Sequence, residues 1–128
     1  MNREQITPEI IELAKQIWKK GWRQDICEGD WYLFSSTKKA MRDVLCLHSG
    51  NKPINLSAID KYTTIIPIPD LSTCLAWIEE RGIRFYAFAM RDKKPMFICD
   101  VPGDSLWIKA ETREEAAMLA MLKILEGE

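Results

Sequence analysis

Two stretches, Asp70 to Arg81 and Lys109 to Glu126, constrain this chain more than any other. Each carries the start, the apolar stripe and the stop of an amphipathic helix. Asp70 is placed as an N-cap, and Leu71, Cys74, Leu75 and Ile78 recur at three- and four-residue spacing, with Trp77 alongside and Gly82 as the stop. In the second stretch Thr112 and Glu115 form a capping-box pattern. Ala116, Leu119, Ala120, Leu122 and Leu125 follow, and Gly127 closes the run. Three short strand patterns lie between: Ile83 to Ala89, Met96 to Cys99 and Leu106 to Ile108, separated by turns at Arg91 to Lys94 and Pro102 to Asp104. The order helix–strand–strand–strand–helix follows.

The first half repeats the logic less strongly. Thr7-Pro8-Glu9 is a helix start, with Pro8 suited to the first turn and Glu9 to the positive end of the dipole. Ile10, Leu13, Ala14, Ile17 and Trp18 make its stripe, so a helix is expected from about Pro8 to Lys20, with Gly21 as the stop. Trp31 to Phe34 and Val44 to His48 are strand candidates and suit a hairpin across a polar turn beginning at Ser35. Ser49 to Asp60 is expected as a surface loop. Thr63 to Ile66 is β-branched, but Pro67 and Pro69 exclude a central strand. The expected class is α+β: an antiparallel sheet packed with helices, α-β-α sandwich-like, in the order α-β-β-(β)-α-β-β-β-α.

At 128 residues one domain is expected over positions 1–128, long enough to bury roughly two-thirds of its unfolded surface. Eighteen basic against nineteen acidic side chains leave a net charge of −1, which removes any whole-protein attraction to nucleic acid or anionic lipid. No apolar run is long enough for a membrane span, and Met1 to Gln5 lacks a signal peptide's apolar core, so a cytoplasmic protein is expected. Cys27, Cys46, Cys74 and Cys99 are irregularly spaced and fit small core residues better than a disulfide framework.

Chemistry-bearing residues are sparse. His48 is the only histidine; with Cys46 it makes a pair on one strand face, too few ligands for a zinc site. Asp30, Asp100 and Asp104 sit where turns favour aspartate. No catalytic residue, cofactor or metal is expected, and the chain is read as non-enzymatic. Basic side chains cluster at Lys19-Lys20-Arg23, at Lys38, Lys39 and Arg42, and at Arg91, Lys93 and Lys94. The last two clusters are the candidate contacts of an alternative reading, a nucleic-acid-binding accessory protein. Met90, Met96, Met118 and Met121 offer adaptable apolar surface. With Met118, Leu119, Met121 and Leu122 all apolar, the last helix is greasy nearly all round. Such a helix is buried on every side, by its own fold or by a partner. Met118, Met121, Leu122 and Leu125 are therefore candidate interface residues of a homo-oligomer, a dimer, or of a complex with another protein.

The pattern resembles small phage- and prophage-encoded proteins of unknown function. The matching residues are Thr7-Pro8-Glu9-Ile10, Gly29-Asp30-Trp31-Tyr32, Ile66 to Leu71 leading into Ala76 to Gly82, and Ala110 to Ala117. The latter half looks like the group called the phage ABA sandwich domain, which implies a layered α+β fold and no assigned activity. Double-stranded-RNA-binding domains are similar in topology, but Thr112-Arg113-Glu114-Glu115 stands where they carry phosphate-binding lysines. Antitoxins built on a degenerate form of that fold look similar around Met96 to Ala117, a resemblance that implies binding to another protein.

Overall fold

In the computed structural model, residues 1–36, 43–54, 63–91, 94–101 and 104–127 are described. A short 3-10 turn at Arg3–Gln5 precedes the first helix, α1 (Pro8–Lys19). Strands β1 (Trp31–Ser36), β2 (Val44–Leu47) and β3 (Thr63–Ile68) follow, then α2 (Leu71–Glu80), β4 (Arg84–Arg91), β5 (Lys94–Val101), β6 (Asp104–Lys109) and α3 (Arg113–Glu126). The class is α+β, and the order is the one the sequence predicts.

Local chemistry sets the helix starts. Thr7 Oγ1 accepts the Ile10 amide at 3.2 Å, Asp70 Oδ1 the Thr73 amide at 2.8 Å, and Thr112 Oγ1 the Glu115 amide at 3.2 Å. Each cap satisfies a first-turn N–H that has no partner within the helix. Gly21 and Gly82 take φ of +98° and +70° after α1 and α2, a conformation other residues adopt only with strain. Asn2 and Gln5 form a reciprocal capping box that sequence reading did not single out.

The strands form two separate antiparallel sheets, ordered β2-β1-β3 and β4-β5-β6; the strand patterns alone leave open whether the two halves share a sheet. The hairpin of β1 and β2 is present, with Leu33 opposite Leu45. The third strand runs to Ile68, two residues further than expected, and takes Pro67 into its ladder opposite Tyr32. It can do so because it is an edge strand, where one side needs no donor. In the described part of the expected loop after Ser49, Ile54 bridges to Ile26.

Helices join the two sheets. The first helix packs on β3 and on α3, while α3 also packs on α2, β5 and β6. Leu33, Ile66 and Ile68 from the first sheet and Cys99 and Ile108 from the second belong to one buried cluster with the helices. On α3, Ala116, Ala117, Met118, Ala120 and Met121 have no exposed surface, and Leu122 and Ile124 are buried too. Three alanines let neighbouring elements approach the axis closely, and the two methionines fill what is left.

This corrects the sequence reading of the last helix. Met118, Met121 and Leu122 are spent inside the fold, and Leu125 packs against the same core. They are not a surface, so the greasy character of α3 is no argument for an oligomer. The helix meets α1, α2, β5 and β6 within one chain, which accounts for its wide apolar surface.

Met118→Ala is expected to cost about 2–5 kcal/mol of stability, because Met118 is wholly buried in the core cluster and its truncation leaves a cavity there; urea unfolding measures it. A second expectation concerns pH. Lys15 Nζ lies 2.6 Å from Asp43 Oδ2, and Ser35 Oγ donates to Asp43 Oδ1 at 2.8 Å. Those two hydrogen bonds hold the Asp43 carboxyl below the usual range. Its contribution is therefore present above the unfolded value of about 4 and is lost as pH falls through the folded value. Both side chains are a third exposed, so Lys15→Met is expected to cost no more than about 1 kcal/mol at neutral pH. In a pH series of unfolding curves, variant and wild type should converge in acid.

Candidate interaction surface

Asp30, His48 and Asp100 make hydrogen bonds within or across their own turns. Asp30 Oδ2 accepts the Cys27 amide at 2.8 Å and the Gln24 side-chain amide at 3.3 Å. The His48 amide donates to the Asp30 carbonyl at 2.9 Å, and the Gly29 amide to the His48 carbonyl at 2.8 Å. The His48 ring pairs through Nε2 with the Lys52 carbonyl at 2.7 Å, closing the turn around Gly50. Asp100 accepts the Ser105 hydroxyl at 3.1 Å across the β5–β6 ladder. The backbone of Asp104 opens β6, opposite Val101.

Cys46 stands opposite Tyr32 on β1. Burial, then the Cys46 thiol, pushes the Tyr32 phenol above its ordinary value. Cys74 and Cys99 are buried, and burial followed by a neighbouring aspartate pushes both thiols up, away from the thiolate a nucleophile needs. Among the described residues, no group of three or more His, Cys, Asp or Glu side chains is placed to hold a metal ion.

The basic clusters separate. Lys38, Lys39, Arg42 and Lys93 lie outside the described residues, while Arg91 and Lys94 pair with each other where β4 meets β5. Arg23 is structural. Its guanidinium lies 3.4 Å from the Trp18 ring centre and donates to the carbonyls of Trp18 and Trp22 at 2.7 and 2.8 Å. Arg81 covers Trp77 in the same way at 3.6 Å. Met96 is buried.

What the structure does expose is Trp107, at 63% of its full area, the most open of the large apolar side chains among the described residues. Strand alternation explains it. Leu106 and Ile108 turn inward onto the core, so Ser105, Trp107 and Lys109 turn outward and are exposed. Trp107 stands opposite Ile98, and Ser105 opposite Asp100. Residues opposite one another in an antiparallel pair share a face. The outward face of β5 and β6 therefore carries an apolar pair, Ile98 and Trp107, with Asp100 and Ser105 at one end and, at the other, the exposed Lys109 opposite Met96, which is itself buried. Val44 and Leu47, 49% and 51% exposed, lie apart on β2. Trp107 went unnoticed in sequence reading because an aromatic within a strand ordinarily points to a core; the polar residues two places to either side are the signal that could have found it.

This arrangement suits contact rather than catalysis: a large amphipathic ring, its body available and its neighbours polar, is the kind of side chain that anchors interfaces. Comparison with models of known families, with curated proteins and with solved structures finds no match. No helix among the described residues is long and apolar enough to cross a membrane.

Because Trp107 contributes to a surface and little to the core, Trp107→Ala is expected to lower stability by less than about 1 kcal/mol. Unfolding in urea should place it well above Met118→Ala.

Proposed function

We propose that this chain is a small non-enzymatic protein of phage or prophage type that works by associating with a second copy of itself in the bacterial cytoplasm. The observation that carries the reading is Trp107, 63% exposed beside Ile98 on the outward face of β5 and β6. Leaving so large an apolar side chain in water forgoes its burial, and a partner surface recovers it. The net charge of −1 supports like-with-like contact, since two copies repel each other little. Four free cysteines are in keeping with a reducing compartment. The capped helices, similar in sequence to those of phage and prophage chains, support that origin.

Light scattering behind size exclusion tests the reading, run at low and high salt on protein purified without nuclease. A species of doubled mass that persists at high salt, carries no excess absorbance at 260 nm and reverts to monomer on Trp107→Ser is the expected result. A monomer at every concentration overturns it. A salt-sensitive 260 nm excess overturns it in favour of nucleic-acid binding.

A further inference from the structure

The two sheets have four edges, formed by β2, β3, β4 and β6. Exposed edges invite pairing with another strand, and proteins blunt them with proline, bulges or short length. The edge β2 spans four residues, Val44–Leu47. Its counterpart β3 carries Pro67 within the ladder and Pro69 just past it. The β4 edge has a break in register between Tyr86 and Ala89. Strand β6 has none of these three devices, and the charged residues that also guard edges, Asp104 and Lys109, stand only at its two ends. All six of its residues, Asp104 to Lys109, pair with β5 without a shift, and it holds no proline. It is also the edge that carries Trp107.

We propose that β6 pairs edge to edge with β6 of a second copy, antiparallel, about a two-fold axis through Trp107. The inference rests on the self-association reading and names its geometry. The strand is its own complement in this register. Trp107 meets Trp107 of the other copy, and Ser105 of each meets Lys109 of the other. Because the register is even, Leu106 and Ile108 of both copies stay on the helix side, so the outward face runs on unbroken. Its central row becomes Ile98, Trp107 and their two equivalents. The row beyond it places Lys109 of one copy next to Ser105, whose other neighbour is Asp100, with Arg84 past it. A cation thus arrives at the end of the face that holds a carboxylate, twice by symmetry. A shift of two residues either way would set the tryptophan against Ser105 or Lys109 and lose the aromatic pair.

Cysteine cross-linking reads the register directly. Opposed residues in an antiparallel pair have Cα atoms about 4.5–5.5 Å apart, within the span a disulfide accepts. In a Cys27→Ser background, Ser105→Cys protein mixed with Lys109→Cys protein should give the mixed dimer over either homodimer on mild oxidation. Trp107→Cys alone should link to itself. Both positions 105 and 109 are exposed, so these variants are expected to fold as the wild type does. Amide exchange along residues 105–109 should also slow as protein concentration rises. A dimer in which Ser105→Cys links to itself, or in which exchange along β6 ignores concentration, overturns this geometry and leaves self-association standing. A monomer throughout overturns both.

Discussion

The structure depends on one helix that is buried around most of its circumference, with Lys123 and Glu126 left outward. With Ala116, Ala117, Met118, Ala120 and Met121 wholly buried, α3 lies against α1, α2, β5 and β6 at once. Neither sheet has enough strands to close a core alone, and a three-stranded sheet needs a covering layer to stand in water. The central helix supplies that layer directly to the second sheet and, through α1, to the first. Small residues are essential to this role. A helix studded with leucine on every face would hold its neighbours at a distance, whereas three alanines let them converge. The same geometry fixes which way β6 faces. Leu106 and Ile108 must turn toward α3, so Trp107 must turn away.

Much of this order is written in short-range chemistry and could be read from the sequence. Thr7, Asp70 and Thr112 each cap the helix they were expected to start, since a cap needs only its own side chain and an amide three residues on. Gly21 and Gly82 mark stops for an equally local reason. Pro67 and Pro69 identify β3 as an edge from the missing donor alone. What escaped was every feature set by distant residues. The division into two sheets, which the pattern leaves open, the Ile26–Ile54 bridge and the burial of both Met118 and Met121 depend on which elements meet. An all-apolar helix has two physical solutions, burial within a chain or between chains, and periodicity does not choose between them.

The polar residues show the same division. The sequence favours structural roles for Asp30 and His48 over chemistry. Their partners decide the matter: Asp30 holds the Cys27 and Gln24 amides, and the His48 ring sits on the Lys52 carbonyl. A carboxylate and an imidazole spent on backbone groups of their own loops stabilise those loops and have little left to offer a substrate. The cysteines lie on separate elements, with Cys74 and Cys99 inside the core.

The outward face of β5 and β6 is an indirect product of the core. Strand β6 is pinned flat by Leu106 and Ile108 and kept in register with β5 along its whole length. A pinned, regular edge loses little conformational freedom on pairing, so most of that ordering cost is met when the chain folds. The bulged β4 and the proline-bearing β3 lack this preparation. Within β6, alternation then places an aromatic ring at the centre of the outward row and polar residues at both ends, the pattern of a small interface with an apolar middle and a wet rim. The burial of α3 and the exposure of Trp107 are thus two consequences of one constraint: each strand has two faces, and the helix can cover only one.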